Sequence, residues 1–352
     1  MDITKADIVR MKTEQQKPGR PHGIARIRRG YGLRLRPEDE HGTPWDLRRQ
    51  VTLARILATD MAAKRRPVFA AQSAMAVWGV DGWTENPDVV TRRATPGRLV
   101  ELPAVQVMET YVSAARATQI YLEAPFKPVE RRGVLVDTPA TVALHMALQA
   151  HPLEAVVAVS GLMRLMVQSG PGSADTREQL AERSTAARTY LLQHLETYAG
   201  MRGARRAARV IAASSAECEN VGERAALYLL AGLTTSEVTP QHPVHLDGRK
   251  YYLDLAVPDQ RVAVEFDGLG KLGATGRELQ AAKQQWVDRQ AALVSAGWRV
   301  VRLSWRDLDD LTRTRSLLGA QTGLGDHTDS NHSGLWVPPP ASTRTWRLHG
   351  LR

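Results

Sequence analysis

The stretch from Tyr251 to Gly268, YYLDLAVPDQRVAVEFDG, constrains the fold more than any other part of this chain. Two apolar-rich runs, residues 251–257 and 262–267, flank a Pro-Asp pair that favours a turn, so the stretch predicts a β-hairpin. A two-residue or a four-residue loop gives the same register, with residue 257 opposite residue 262. The register decides which side chains share a face of the hairpin.

One face of the predicted hairpin is apolar, and the other carries three carboxylates, Asp254, Glu265 and Asp267. Asp254 lies opposite Glu265 in this register, and Cβ atoms of opposed residues are about 5 Å apart, so their charges repel each other. A divalent cation removes that repulsion, and hard oxygen ligands suit Mg²⁺ or Mn²⁺. The alternative is a solvated face whose acids pair with nearby Arg or Lys side chains.

Helices are predicted on both sides of the hairpin. The first spans Glu217–Gly232 with Glu223 near its start, and the second spans Arg277–Ala296. Arg289 lies on an otherwise apolar stripe of the second helix, either with a role at the site or as a long side chain at the edge of the stripe. A strand over 298–303 and a helix over 305–318 complete the order helix, hairpin, helix, strand, helix.

This order resembles the PD-(D/E)XK nuclease superfamily, in the branch that contains very-short-patch-repair (Vsr-like) endonucleases and DUF559 domains. The resemblance covers about residues 217–312, a little over a quarter of the chain. The matching residues are Glu223, Asp254, Glu265-Phe266-Asp267-Gly268, Arg289 and the GWRVVR sequence at 297–302.

The resemblance implies a restriction-endonuclease-like mixed sheet and metal-assisted hydrolysis of phosphodiester bonds. It implies metal ligation by Asp254, Glu265, the Phe266 carbonyl and Asp267, with Glu223 orienting a second metal or a water. The chain departs from the superfamily at Asp267, where the motif has a lysine. The candidate substitutes are Lys271, as a catalytic cation, and then Lys283; Arg289 is a candidate for supporting a ligand or contacting a phosphate.

Charge and composition limit the classes of partner and the cellular compartment that are expected for this chain. The chain has 352 residues, enough for two or three domains, and a formal net charge of +10, which favours nucleic acid as a partner. Its one cysteine, Cys218, fits a reducing cytoplasm, and no apolar run approaches the length of a membrane span. We therefore expect a cytoplasmic protein with DNA as partner and no membrane association; the sequence does not indicate an oligomeric state.

The N-terminal residues 1–66 predict a winged-helix-like basic segment. A helix over Lys5–Gln15 precedes a basic strand, Gly23–Leu35, and a further helix is expected over Asp46–Lys64. Three arginines of the strand are candidate phosphate contacts: Arg26, Arg28 and Arg29. A solvated basic edge explains the same pattern.

Residues 67–210 are predicted to be mainly helical and loosely resemble AbiEi-like antitoxin proteins. Near the end of this region four arginines recur at helical spacing and predict a basic helix face, which either tracks DNA or is simply solvated: Arg202, Arg205, Arg206 and Arg209. The nuclease-like domain is expected over 211–318. The remaining 319–352, rich in Gly, Ser, Thr and Pro, predict a disordered tail.

The sequence thus predicts an α/β chain, α+β overall, and three interpretations of function. The first is a metal-dependent DNA endonuclease. The second is an antitoxin-like DNA-binding regulator whose nuclease-like domain is inactive. The third is a globular protein with a carboxylate-lined pocket of another use.

Overall fold

The computed structural model divides the chain into two units, Met1–Met146 with Thr345–Arg352, and Ala147–Arg344. Both units combine helices with β-sheets, which confirms the predicted α/β class. The structure describes residues 3–11, 23–36, 42–93, 99–168, 176–246, 248–267, 287–325, 334–343 and 346–347. Among these residues, no helix is long and apolar enough to cross a membrane.

A three-stranded antiparallel sheet and a long helix open the first unit. The strands are β1 (Ile8–Arg10), β2 (Ile24–Arg28) and β3 (Tyr31–Arg34), in the order β1-β3-β2, and the helix is α1 (Pro44–Ala62). β2 and β3 confirm the predicted basic strand region. The helix expected over Lys5–Gln15 is wrong up to residue 11, because a 3₁₀ turn at Lys5–Asp7 leads directly into β1; residues 12–15 lie outside the described residues.

The expected mainly helical region begins with strands instead. Among the described residues between Val68 and Val136 there are eight strands, and the helix α2 (Ala71–Trp78) follows the first of them. Six of them form one mixed sheet in the order β10-β11-β4-β5-β9-β6, and β7 and β8 form a hairpin. The strands are β4 (Val68–Phe69), β5 (Val89–Arg92), β6 (Val100–Leu102), β7 (Val105–Val107), β8 (Thr110–Val112), β9 (Ala115–Ile120), β10 (Val129–Arg131) and β11 (Val134–Val136). Most have only three or four residues, too few to establish an alternating pattern in the sequence.

Helices dominate from Pro139 to Ala231. They are α3 (Pro139–Gln149), α4 (Pro152–Gln168), α5 (Arg177–Leu195), α6 (Ala204–Ala213) and α7 (Val221–Ala231). α4 and α7 are apolar on nearly all sides and are buried along most of their length. Asn220 caps α7 by accepting a hydrogen bond from the backbone N–H of Glu223, at 2.9 Å.

A four-stranded mixed sheet follows α7. Its strands are β12 (Thr239–Leu246), β13 (Arg249–Val257), β14 (Val262–Asp267) and β15 (Arg299–Ser304). They lie in the order β12-β13-β14-β15, with antiparallel pairs except for the parallel pair β14–β15. Residues 287–295 form helix α8 before β15, and α9 (Leu311–Thr322) closes the order. The predicted order of helix, hairpin, helix, strand and helix is therefore confirmed, except that it omits β12 between α7 and the hairpin.

The predicted hairpin register is confirmed for the pairs near the turn, whereas the expected pairing of Asp254 with Glu265 is not among the described pairs of β13 and β14. Val257 pairs with Val262, and Leu255 pairs with Val264. Pro258–Gln260 forms a 3₁₀ turn, and Arg261 completes it with a left-handed backbone at φ 49°. α7 packs against β13 and β14.

The expected disordered tail is wrong for the residues that the structure describes there. α9 extends to Thr322, beyond the boundary at 318, because its last turn still buries Leu318 and Thr322. Residues 334–343, here named the C-terminal segment, pack on α7: the Trp336 ring stacks on Tyr228, with centroids 5.7 Å apart, and the Tyr228 hydroxyl donates to the Val337 carbonyl at 3.1 Å. These aromatic contacts explain the order despite the polar composition.

Candidate active site

Asp254 occupies a position in β13 where the sheet is irregular on both sides. The described β12–β13 pairs pass from Pro240–Leu255 to His242–Leu253 and skip Asp254, since Gln241 has a left-handed backbone at φ 51°. The described β13–β14 pairs end at Leu255. The Asp254 carboxylate reaches β14 instead, because its Oδ2 accepts a hydrogen bond from the backbone N–H of Phe266 at 2.9 Å.

Glu265 is buried in β14 between two guanidinium groups. Its side chain is 6% exposed, and its two carboxylate oxygens lie 2.5 Å from Arg289 and 2.9 Å from Arg302. Arg289 also donates to the Tyr252 carbonyl at 2.6 Å. Burial raises the pKa of Glu265, the two arginines oppose that rise, and Asp254 adds to it. The two guanidinium groups thus balance the charge of the Glu265 carboxylate, while the Asp254 charge still raises its pKa.

Glu223 brings a third carboxylate to this site from the first turn of α7. It is 5% exposed, and its oxygens accept hydrogen bonds from the Glu219 backbone N–H at 2.7 Å and from the Asn220 side chain at 2.5 Å. Burial raises the pKa of Glu223 to about 7; the Glu219 bond lowers it, and the Asp254 charge raises it further. The two acids therefore lie within electrostatic range of each other, as expected from the sequence.

A glycine allows α7 to approach β14 closely enough for this arrangement. A Cβ atom added at Gly222 would lie 2.1 Å from a ring carbon of Phe266, far inside van der Waals contact. Phe266 is the residue whose N–H holds Asp254. Sequence reasoning overlooked Gly222, although a glycine in the first turn of an apolar helix is a signal of close backbone approach.

Arg302 ends the GWRVVR match at 297–302, but the sequence reasoning assigned it no role at the site. It lies opposite Glu265 in the parallel β14–β15 pairing, binds both Glu265 and Asp267, and donates to Gln290 at 3.1 Å. An arginine two residues before the end of a short apolar strand was the available signal. No comparable signal identifies Glu265 as its partner, because the register between β14 and β15 is set by tertiary packing.

Asp267, at the position of the motif lysine, faces outward at the end of β14. Its side chain is 59% exposed and lies 3.4 Å from Arg302. The two candidate lysines, Lys271 and Lys283, lie outside the described residues. Within the part of the chain that the structure describes, no three His, Cys, Asp or Glu side chains are grouped as a metal site.

The donor chemistry nevertheless fits a hard divalent cation. Mg²⁺ is commonly held by one or two carboxylates together with waters and substrate phosphates, and does not need an all-protein cage. Asp254 and Glu223 supply two carboxylates from adjoining elements, and each carboxylate oxygen has lone pairs beyond the hydrogen bond that it accepts. Glu265 is a further oxygen ligand only if its arginine contacts rearrange.

The predicted basic helix face is wrong in one respect. α6 begins at Ala204, and Gly203 before it has φ 97°, so Arg202 lies outside the helix. Arg205 is exposed on α6, whereas its two neighbours in the stripe bind carbonyls within this unit: Arg206 that of Leu148 at 2.9 Å, and Arg209 that of Gly334 at 3.3 Å.

The three candidate arginines near the N-terminus differ in their exposure to solvent. Arg26 in β2 and Arg29 in the following turn are exposed, as a phosphate contact requires. Arg28 instead donates to the Thr59 hydroxyl of α1 at 3.4 Å, and burial lowers its pKa. Its packing against α1 makes it a structural residue of this small sheet.

Comparisons with known proteins identify no relative, so the functional assignment rests on the geometry of this site. No protein-family model matches the chain, and searches of curated proteins and of solved structures return no match.

Proposed function

We propose that the C-terminal unit is a metal-dependent endonuclease domain that hydrolyses phosphodiester bonds in DNA. One observation carries this proposal: Glu223 in α7 and Glu265 in β14 are both buried, and the Asp254 charge in β13 acts on both, although burial and that charge disfavour their ionised forms. Retaining buried like charges lowers stability, so such clusters are typical of functional sites. The net charge of +10 favours a polyanionic substrate.

Asp254 and Glu223 are the residues that would hold Mg²⁺ or Mn²⁺, with the Phe266 carbonyl as a further oxygen. When bound, the cation supplies Lewis-acid activation of water and neutralises charge that develops on the phosphate. The hydrogen bond from the Phe266 N–H keeps the Asp254 carboxylate oriented without a metal. That preorganisation is what a metal ligand needs.

The protonation of Glu223 is coupled to binding of the cation. With a pKa of about 7 it exists in both forms near neutral pH, and a bound cation would favour the deprotonated form that ligates it. Arg289 and Arg302 balance the charge of Glu265 and are groups that can contact an incoming phosphate. The chain therefore supplies two carboxylates for the cation and two guanidinium groups beside them.

A second function is favoured by a different observation. Both oxygens of Glu265 are held by arginines, and an acid occupies the position of the motif lysine. A site closed in this way binds DNA without cutting it, as an antitoxin-like regulator would. The exposed arginines Arg26 and Arg29 supply phosphate contacts for that alternative.

Plasmid cleavage separates the two functions. Purified full-length protein is incubated with supercoiled plasmid and Mg²⁺ or Mn²⁺, beside the variant Asp254→Asn and the matched control Asp259→Asn in the exposed hairpin turn. We expect nicking by the parent and the control, and none by Asp254→Asn. Equal DNA binding by all three without nicking supports the regulator, and no DNA affinity at low salt refutes both functions.

A further inference from the structure

A cavity lies between two helices of the C-terminal unit and β12. It has a volume of about 270 Å³ and is formed by α4, α5, the loop before α7, and β12. Among the described residues, its lining comprises one leucine and six residues with polar or charged side chains: Arg164, Gln168, Arg177, Glu217, Glu219 and Gln241. We name it the α4–α5 cavity.

Two residues of its lining connect the α4–α5 cavity to the candidate active site. Glu219 lines the cavity, and its backbone N–H donates to Glu223. Gln241 also lines it, and lies in β12 between Pro240 and His242, whose partners in β13, Leu255 and Leu253, flank Asp254. The cavity is therefore linked through one lining residue to Glu223 and through another to the part of β13 that carries Asp254.

A third connection runs through Tyr252. The Arg177 guanidinium lies over the Tyr252 ring, 4.3 Å from its centroid, and donates to the Gln241 amide oxygen at 3.3 Å. The carbonyl of the same tyrosine accepts from Arg289. Tyr252 of β13 thus contacts one arginine of the cavity lining and one arginine of the active site.

The charges of the lining select the ligand class. In the part of the lining that the structure describes, two arginines are balanced by two glutamates, so a phosphate would gain attraction from Arg164 and Arg177 but meet repulsion from Glu217 and Glu219. A nucleobase is uncharged and planar, and carries donors and acceptors on its edge. The side chains of arginine, glutamine and glutamate bind such edges, and guanidinium planes stack on unstacked bases.

We propose that the α4–α5 cavity receives an unstacked nucleobase of the DNA strand whose phosphate lies at Glu223 and Asp254. This inference rests on the proposed function, because the base is positioned by a strand that enters the active site. Enzymes that carry out chemistry on a base extrude the nucleotide into a pocket and bind the edge of its base there by hydrogen bonds, so a protein cavity can hold a base outside the stack. Burial raises the pKa of Glu217, so its carboxyl is a donor as well as an acceptor over part of the acidic range.

Two substitutions remove side-chain groups that would contact the edge of a nucleobase, and both preserve the backbone conformation. Gln241→Asn keeps an amide and a residue type that tolerates the left-handed backbone at φ 51°, but withdraws the amide from the cavity. Glu217→Gln keeps a hydrogen-bonding partner for Ser215 and changes the donor and acceptor pattern. The matched control is Gln321→Ala, on the exposed side of α9. Thermal melting confirms that each variant is folded.

The test compares two single strands of equal charge. Full-length protein is titrated with fluorescent oligothymidylate of about 16 nucleotides and with an abasic oligomer of the same length, in Ca²⁺, with strand integrity checked on a gel. We expect the parent and Gln321→Ala to bind oligothymidylate at least about tenfold more tightly. Gln241→Asn and Glu217→Gln should each remove most of that difference without changing the affinity for the abasic strand.

The inference is overturned if the parent binds both strands equally, or if the preference survives in both cavity variants. Millimolar inorganic phosphate that reduces thymidylate binding to the abasic level would also overturn it, since the cavity would then be an anion site. Plasmid nicking distinguishes the two proposals. Nicking with equal affinities refutes only the base cavity, a base preference without nicking refutes only cleavage, and no binding of either strand refutes both.

Discussion

Replacing Gly222 with alanine tests the architecture of the candidate active site most directly. The added Cβ would lie 2.1, 2.3 and 2.5 Å from three ring atoms of Phe266. Carbon atoms pack at about 3.5–4.0 Å, so either the ring or α7 must move by more than about 1 Å. The ring has little freedom, because it packs edge-on against Trp305 with centroids 5.1 Å apart.

Two opposed contributions determine the size of the effect. Alanine favours a helix over glycine by at most ~1 kcal/mol. Overpacking a core lowers the free energy of unfolding by ~1–3 kcal/mol, and a shift above 1 Å places this site at the upper end. We expect Gly222→Ala to lower the free energy of unfolding by ~2 kcal/mol. For a unit of this size that corresponds to a Tm about 4–8 °C lower.

Thermal and urea unfolding followed by circular dichroism measure this change, and a double-mutant cycle identifies its cause. Phe266→Leu removes the ring atoms that meet the new Cβ, so Gly222→Ala should destabilise the Phe266→Leu background much less than the parent. The reasoning is refuted if Gly222→Ala is as stable as the parent, or if the two effects simply add. Loss of plasmid nicking should accompany the clash, since the Phe266 N–H orients Asp254.

Three further predictions concern groups around the site. Burial raises the pKa of Glu223 from 4.5 to about 7, so between these pH values the folded parent binds more protons than the unfolded chain and loses stability as pH rises. In Glu223→Gln the free energy of unfolding, measured with urea, should therefore change across this window by up to ~3 kcal/mol less than in the parent. Arg302→Met leaves Glu265 with one guanidinium group and should lower the free energy of unfolding by ~2 kcal/mol. The control Arg299→Met, at the exposed start of β15, should change it by less than ~0.5 kcal/mol in the same assay. Tyr228→Phe removes the hydroxyl that binds the C-terminal segment and should lower Tm and speed limited proteolysis of that segment; an unchanged proteolysis rate would contradict this.

The hairpin could be predicted from the sequence because its information is local. Pro258 and Asp259 specify the turn, and alternation specifies the faces, so the pairing of Val257 with Val262 follows from neighbouring residues alone. The convergence of Glu223 with Asp254 was less local, since it depends on α7 lying against the hairpin. The resemblance to a known element order supplied that step.

The features that the sequence did not reveal depend on contacts between distant segments. Glu265 and Arg302 meet through a parallel pairing whose register is set by packing, and nothing near either residue specifies it. Arg202 and Arg205 share helical spacing, yet Gly203 at φ 97° separates Arg202 from α6. A periodic pattern identifies a possible helix face but does not locate the helix terminus, which one glycine can move.

The charges of the site connect its two candidate functions. Among the described residues, the site holds two guanidinium groups and four carboxylates: Arg289 and Arg302, which bind Glu265, with Arg302 also near Asp267, and in addition Asp254 and Glu223. Glu223, with a pKa of about 7, carries only part of a charge at neutral pH, but the sum over these described residues is still negative. A DNA phosphate approaching this sum is repelled unless a divalent cation accompanies it. DNA bound through the site should therefore bind more tightly with Ca²⁺ than with EDTA, whereas DNA bound only through exposed arginines should follow ionic strength alone. The dependence of binding on the cation thus reports whether the carboxylates are used, even in a protein that never cuts.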